Sequence, residues 1–164
     1  MADDQVLRAL GRALRLEQDG YTFYTQAAER VRDSESKQTL LSLAEDEKMH
    51  EAMIVRQLEA MSEDGDYVYL PHVEPVDIDL AADILPPDPE QVEERVSEYT
   101  DELQALAAAM EIEVRSYDLY RQAALETESE AGKQMYEWLA AAEMMHFDLL
   151  MSNYEALNTR AKWV

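Results

Sequence analysis

Apolar residues recur at three- and four-residue steps along most of the chain, a spacing typical of helices that bury one face. In the first such stretch the inward-facing positions are Leu7, Leu10, Leu14, Glu17, Tyr21, Tyr24 and Ala28. In the second stretch they are Leu40, Leu43, Glu47, His50, Ile54 and Leu58. We therefore predict two helices, over about 4–31 and about 34–61. Asp33 or Ser34 is suited to cap the second helix.

A proline-rich segment separates these helices from the rest of the chain. All five prolines lie between Pro71 and Pro89. Because proline lacks a backbone N–H and interrupts helices, we predict a connector over about 62–88. Residues 62–100 carry 12 acidic residues and one basic residue, a net charge of −11. Such a charge is typical of a solvated segment, and it would also concentrate cations.

Two further helices are predicted after the connector. Asp88 and Pro89 form a good helix start, with aspartate as N-cap and proline in the first turn. The helix that follows would reach about Leu125, and a break near Thr100 is allowed. Thr127 to Glu130 resembles a capping box, which predicts a fourth helix from that point.

The second pair of helices repeats the first. When Leu7–Ile54 is aligned with Leu103–Leu150 without a gap, 17 of 48 positions are identical. The chain therefore contains one helical hairpin twice, over about 4–61 and about 89–157. Short turns within the hairpins and a long connector between them allow the second and third helices to run parallel. We predict an all-α four-helix bundle with one long crossover, as a single domain over residues 1–164.

Six residues that can bind metal recur in register within this repeat. A Glu-x-x-His pair appears twice, 96 residues apart, and another glutamate precedes each pair by 30 residues. The six are Glu17, Glu47, His50, Glu113, Glu143 and His146. Residues at i and i+3 lie on one face of a helix. Four carboxylates and two imidazoles are the ligand set of a two-metal site inside a four-helix bundle.

The ligand types limit the metal and point to supporting residues. Mixed carboxylate and imidazole ligation suits iron or manganese and tolerates zinc. Tyr24 and Tyr120 lie seven residues after Glu17 and Glu113. We expect these tyrosines either to pack in the core or to donate hydrogen bonds to the ligand carboxylates. Phenols so close to an oxidising centre could also supply an electron. His72, in the connector, is expected to be exposed to solvent.

Composition excludes several classes of function. The net charge of −22 argues against nucleic-acid binding through phosphate contacts. The chain has no cysteine, which excludes disulfides, thiolate metal sites and iron–sulfur clusters within it. No run of about 18 apolar residues predicts a membrane span, and the acidic start does not resemble a secretory signal. We therefore expect a cytoplasmic protein.

These motifs resemble the ferritin-like di-iron carboxylate superfamily, in particular its rubrerythrin and bacterioferritin branches. The resemblance covers both hairpins, and its motifs are Glu17 with Glu47-x-x-His50 and Glu113 with Glu143-x-x-His146. It implies a ferritin-like bundle whose two irons, held by these six residues, react with hydrogen peroxide or dioxygen. It also implies terminal histidine ligands and one bridging pair, either Glu47 with Glu143 or Glu17 with Glu113.

The chain departs from that resemblance in two respects. Rubrerythrins typically carry a cysteine-ligated rubredoxin domain, and this chain has no cysteine. A separate donor protein such as a rubredoxin would then supply the electrons. Rubrerythrins also have an additional glutamate three residues after the ligand of the third helix, where this chain has Ser116, with Gly20 as its repeat mate. The long connector makes a 24-subunit shell of the bacterioferritin kind doubtful, so a homodimer is expected.

Several functions are compatible with these residues. The first is a peroxidase or ferroxidase that reduces peroxide or dioxygen with oxidation of Fe(II). The second is an iron-binding or sequestration protein without turnover. The third is a structural bundle whose site is vestigial or holds zinc, which has no redox chemistry. An oxygenase acting on an organic substrate would need an apolar pocket that nothing in the sequence marks.

Overall fold

Four α-helices account for most of residues 2–87 and 100–161, the part of the chain that the computed structural model describes. They are α1 (Ala2–Arg30), α2 (Ser34–Glu63), α3 (Thr100–Glu126) and α4 (Glu130–Ala161). No strand occurs among these residues, so the predicted all-α class is confirmed. Within the same residues, no helix is long and apolar enough to span a bilayer.

The ends of α2 follow the predicted signals. Asp33 is the N-cap, and its carboxylate accepts a hydrogen bond from the backbone N–H of Ser36. At the other end Gly65 has a φ of 75°, a left-handed conformation that glycine adopts without strain. The helix therefore ends two residues beyond the predicted Met61. The predicted helix start at Asp88 and Pro89 lies outside the described residues.

The predicted capping box before α4 is wrong by two residues. The backbone N–H of Thr127 donates to the carbonyl of Ala123, so Thr127 continues the last turn of α3. Ser129 occupies the capping position instead, since its hydroxyl accepts from the backbone N–H of Gly132. The helix then begins at Glu130. Both serine and threonine favour capping, and the position where α3 ends decides between them.

Contacts between the hairpins establish the crossover topology. Tyr24 of α1 bonds Glu113 of α3, and Tyr120 of α3 bonds Glu17 of α1. As the residue number rises along α1 it falls along α3, so these helices are antiparallel. Because α1 is also antiparallel to α2, helices α2 and α3 run parallel, and the connector must cross the length of the bundle. The predicted ferritin-like arrangement is confirmed.

The connector lies against the bundle and is tied to it by polar side chains. Gln57 of α2 brackets Val68, donating to its carbonyl at 2.7 Å and accepting from its N–H at 2.9 Å. Gln134 of α4 donates to the carbonyl of Val73 at 2.7 Å. Farther along, the hydroxyl of Tyr117 in α3 donates to the carbonyl of Ala82. These bonds satisfy backbone groups of a segment that forms no sheet or helix.

Two apolar clusters fill the bundle, one on each side of its middle. One contains Leu10, Ile54, Tyr120 and Leu139, and the other contains Tyr24, Leu43, Leu106 and Leu150. The residues predicted to bind metal fall between these two clusters on every helix. The predicted burial of Leu7 is wrong: its side chain is exposed, because Val6 takes the inward place at this end of α1.

Candidate metal centre

The bundle brings all six predicted residues together in two overlapping groups. One group contains Glu17, Glu47, His50 and Glu143, and the other contains Glu47, Glu113, Glu143 and His146. Within each group the candidate ligand atoms lie within 4.8 Å of one another. Glu47 and Glu143 belong to both groups. The arrangement therefore favours these two, rather than Glu17 and Glu113, as the carboxylates shared by two ions.

Helix geometry explains why the groups form. Glu47 and His50 lie one turn apart on the inner face of α2, and Glu143 and His146 occupy the same places on α4. Each neighbouring helix adds one glutamate. All six side chains are buried, and the most exposed of them, His146, has only 6% of its surface accessible. Ionised carboxylates are costly in such surroundings unless cations compensate them.

Both histidines direct Nδ1 toward the carboxylates. Nδ1 of His50 lies 3.3 Å from Glu17 Oε2 and 3.4 Å from Glu143 Oε1. Nδ1 of His146 lies 3.1 Å from Glu143 Oε2, 3.4 Å from Glu47 Oε1 and 3.5 Å from Glu113 Oε2. The two imidazole rings stack with centroids 5.5 Å apart and planes 15° from parallel. The rings thus form one layer at the middle of the bundle.

Four buried polar atoms at this centre have no hydrogen-bond partner among the described residues. They are Glu17 Oε2, His50 Nδ1, Glu113 Oε2 and Glu143 Oε1. Their near neighbours include the charged atoms of the same centre, at 3.3–3.5 Å, in a geometry that forms no hydrogen bond. Buried polar atoms are nearly always paired, so this unpaired set requires an explanation. Two bound cations, one in each ligand group, would supply the missing partners. The donor set, with oxygen and imidazole nitrogen and no sulfur, fits iron or manganese and tolerates zinc.

Burial and mutual contacts shift the pKa values of the carboxylates and imidazoles at this centre in the metal-free fold. Burial, together with the charge of Glu143, raises the pKa of Glu47 and of Glu113. Burial opposes the charge on His50, but Glu143 and Glu17 outweigh it and raise the pKa of His50 to about 10. Burial likewise opposes ionisation of Glu143, yet its contacts with both imidazoles lower its pKa. Metal binding therefore has to displace protons.

Tyr24 and Tyr120 each hold one carboxylate from the far side. The hydroxyl of Tyr24 donates to Glu113 Oε1, and the hydroxyl of Tyr120 donates to Glu17 Oε1. In both carboxylates the other oxygen, Oε2, is the atom left without a partner. Burial and the adjacent carboxylates raise the pKa of both phenols, so they remain donors. Each tyrosine bonds the glutamate of the opposite repeat, a crossing that spacing alone does not predict.

Sequence reasoning missed two neighbours of the histidines. Asp46 Oδ2 lies 3.1 Å from His146 Nε2, which holds the ring so that Nδ1 faces the centre. Trp138 contacts His50 edge-to-face with centroids 5.8 Å apart. In the repeat alignment Asp46 corresponds to Ala142, and Trp138 corresponds to Ser42. The unlike pairs in the alignment were a signal that the two halves differ.

The remaining predicted residues lie outside the centre. His72 is exposed, as expected from its place in the connector. Gly20 lies on α1 where a Cβ atom would come 3.4 Å from the carboxylate of Glu47. Its repeat mate Ser116 is buried.

Comparisons with known proteins agree with this geometry. The rubrerythrin family model matches residues 8–154. A solved structure of a hypothetical protein from Pyrococcus furiosus is similar, with a TM-score of 0.68 and 28% identity, covering 97% of this chain and 94% of that one. No curated protein sequence matches significantly. The matched range includes both hairpins and all six residues of the centre, and the chain therefore belongs to the rubrerythrin family, within the ferritin-like di-iron superfamily.

Proposed function

We propose that this protein is a non-haem di-iron oxidoreductase that reduces hydrogen peroxide or dioxygen with oxidation of Fe(II). The observation that carries the proposal is the pair of overlapping ligand groups with Glu47 and Glu143 in common. Four buried polar atoms of the two groups have no hydrogen-bond partner among the described residues, and two bound ions would supply those partners. Family membership supports the same chemistry.

The six residues would form two metal positions. Glu17 and His50 would bind one ion, and Glu113 and His146 would bind the other. Glu47 and Glu143, the shared carboxylates, would contact both ions. The four carboxylates together carry a charge of −4, which two divalent ions balance inside the low-dielectric core. Two bound irons supply two electrons, which is the number that one peroxide molecule takes.

The surrounding side chains keep this ligand layer ready for the metals. Tyr24 and Tyr120 fix the outer oxygens of Glu113 and Glu17, so the inner oxygens remain available. Asp46 fixes Nε2 of His146 and leaves Nδ1 for the ion. The apolar clusters on both sides exclude water from the layer. Groups that are positioned before the reaction need no reorganisation during it.

The electrons for repeated turnover come from a separate donor in this proposal. The chain has no cysteine, so it cannot hold a rubredoxin-type iron centre of its own. We propose a small redox protein such as a rubredoxin as donor. The homodimer expected from the sequence stays a prediction, which sedimentation equilibrium of the metal-loaded protein would check.

Anaerobic loading with Fe(II) followed by peroxide addition tests the proposal. The expected result is oxidation of two irons per peroxide consumed, and repeated consumption when reduced rubredoxin is added. His50→Ala and His146→Ala should each lose one of the two metal positions and most of the peroxide consumption. His72→Ala is the matched control, since this histidine is exposed and outside both ligand groups.

Two outcomes would count against the proposal. Oxidation of iron without any turnover in the presence of reductant would indicate iron sequestration. Binding of zinc alone, with no iron bound after anaerobic loading, would indicate a structural site, because zinc has no redox chemistry.

A further inference from the structure

Three tyrosines in contact lead from the metal centre toward the surface: Tyr120 and Tyr136 of the second repeat and Tyr67 of the connector. We call them the tyrosine file. Tyr120 donates its hydroxyl hydrogen bond to Glu17. Its ring stacks on that of Tyr136, with centroids 6.2 Å apart and planes 28° from parallel. Tyr136 in turn meets Tyr67 edge-to-face at 5.8 Å, and their hydroxyl oxygens lie 2.9 Å apart. Successive rings are thus in direct contact.

The ring of Tyr67, the last of the file, packs at a position where the facing helix has a glycine. Tyr67 belongs to the connector and packs on α4 at Gly132, where an added Cβ atom would lie 2.9 Å from the ring. A glycine is therefore needed for the ring to reach Tyr136. Gln57 fixes the backbone of the adjoining Val68 from both sides. This contact is specified by three separate segments of the chain.

The file ends at a groove. Tyr67 and Tyr136 both line a surface groove of about 670 Å³, bounded by the N-terminal part of α1 and the C-terminal part of α3. A groove of this size can admit a small molecule. Tyr120 is fully buried, whereas 8% of the surface of Tyr67 is accessible. The chain of aromatic contacts therefore joins a buried centre to solvent.

Packing alone does not explain the hydroxyl groups. Phenylalanine would fill the same space, and a buried phenol needs a hydrogen-bond partner that phenylalanine does not. In the first repeat the position that corresponds to Tyr136 is Leu40, which packs in the core without any polar group. Tyr120 can pass its proton to Glu17, and the hydrogen-bonded hydroxyls of Tyr136 and Tyr67 can relay a proton toward the groove.

We propose that Tyr120, Tyr136 and Tyr67 form an electron relay that supplies the centre when its metals provide only one of the two electrons that peroxide takes. The proposal rests on the function proposed above. The groove is lined by Asp66, Asp118, Glu126 and Glu128 and by one basic residue, Arg12, so its ligand is a small uncharged one-electron reductant such as hydroquinone. The relay then prevents a half-loaded centre from releasing a hydroxyl radical.

The electrons and atoms of this step balance. With one Fe(II) bound, one hydrogen peroxide, one tyrosine and one proton would yield one Fe(III), one neutral tyrosyl radical and two waters. Tyr120 would supply one of the two electrons that peroxide takes, together with its phenolic proton, and the bound iron would supply the other electron. Tyr120 then regains an electron from Tyr136 and a proton through Glu17, while Tyr136 passes its proton to Tyr67, which releases one to the groove. Hydrogen-atom transfer from Tyr67 to Tyr136 brings the radical to the groove, where a hydroquinone returns one hydrogen atom to Tyr67 and becomes a semiquinone.

Freeze-quenched electron paramagnetic resonance tests the relay. The full-length protein is loaded with one Fe(II) per chain and mixed with peroxide. The wild-type protein should show a tyrosyl radical that hydroquinone removes rapidly. In Tyr136→Phe the radical should stay on Tyr120, where hydroquinone removes it slowly, while the iron oxidation is kept. Tyr117→Phe is the matched control, because it removes a buried hydroxyl of α3 that bonds the connector outside the file.

The outcomes separate the relay from the proposed function. Iron oxidation without a tyrosyl radical in the wild-type protein, or equally rapid removal of the radical by hydroquinone in Tyr136→Phe, would overturn the relay and leave the peroxidase reaction intact. Absence of any reaction between iron-loaded protein and peroxide would overturn the proposed function. If Tyr136→Phe does not fold, as judged by circular dichroism, Tyr67→Phe removes the outer hydroxyl and carries the same expectation.

Discussion

The two repeats are alike at the metal centre and unlike around it. His50 and His146 both direct Nδ1 at the carboxylates, but His146 is held by Asp46 whereas His50 lies against Trp138. Tyr24 and Tyr120 bond corresponding glutamates. Tyr120 continues into the file that ends at Tyr67, whereas in the first repeat Leu40 takes the place of Tyr136. The duplicated hairpin thus retains the inner ligands, while its outer contacts have diverged.

We expect the largest effect from a substitution of Glu47 or Glu143, the carboxylates that belong to both ligand groups. Glu143→Gln keeps the side-chain size but removes a charge that both ligand groups use. We expect it to abolish binding at both positions, whereas Glu17→Gln and Glu113→Gln should each abolish one. Elemental analysis after anaerobic iron loading measures the difference. Glu45→Gln, on the exposed face of α2, serves as control. One iron per chain in Glu143→Gln would show that this carboxylate is not shared.

Asp46→Ala tests the asymmetry between the histidines directly. The substitution places in the first repeat the residue that the second has at Ala142. Loss of a carboxylate that orients a ligand histidine costs about 10–100-fold in metal affinity. We expect that loss at one position only, measured by isothermal titration with Fe(II) or Zn(II). Glu45→Ala is the neighbouring control, and equal weakening of both positions would contradict the assignment of Asp46 to His146.

Proton competition predicts how metal binding depends on pH. The pKa of His50 is about 10 in the metal-free fold, above its ordinary value of 6.5. Protonated His50 therefore stabilises the metal-free fold fully below about pH 6.5, and this contribution is lost as the pH rises through about 10. Metal must displace the proton, so affinity should rise by up to roughly tenfold per pH unit for each proton released. Titrations between about pH 6.5 and pH 8.5 would contradict this if affinity stayed constant.

Alanine substitutions at two helical glycines are expected to give the smallest difference between the two repeats. A Cβ atom at Gly132 would lie 2.9 Å from the ring of Tyr67, and one at Gly20 would lie 3.4 Å from Glu47. Overpacking typically costs about 1–3 kcal/mol, whereas alanine gains about 1 kcal/mol over glycine within a helix. We therefore expect Gly132→Ala to melt below the wild-type protein and Gly20→Ala to melt near it. Equal melting temperatures for the two variants would contradict close packing of the Tyr67 ring on Gly132.

Periodic patterns were sufficient to predict the helices and the six residues that the bundle brings together. The i, i+3 spacing of Glu47 and His50 predicts one helical face, and the repeat predicts its partner face. Spacing could not identify which carboxylates are shared, because that depends on how deeply each helix packs. It also placed the cap of α4 at Thr127 rather than Ser129, since both residues favour capping and only the end of α3 decides between them.

Contacts between distant segments explain what the sequence could not predict. Asp46 is next to Glu47 in the chain, yet its partner His146 is 100 residues away. Tyr67 lies in a segment with no helical period, so nothing in the pattern associates it with Tyr136. Such pairings depend on the path of the connector across the bundle. The contact between Gly132 of α4 and the ring of Tyr67 shows where that path runs.

The central claim is that this bundle holds two redox-active irons between shared carboxylates. An anaerobic Fe(II) titration of the metal-free protein tests that claim most directly. Peroxide is then added, and visible absorption and Mössbauer spectra are recorded. The expected result is saturation at two irons per chain, which peroxide converts to a coupled diferric pair. Saturation at one iron, or two irons without magnetic coupling, would contradict the shared position of Glu47 and Glu143.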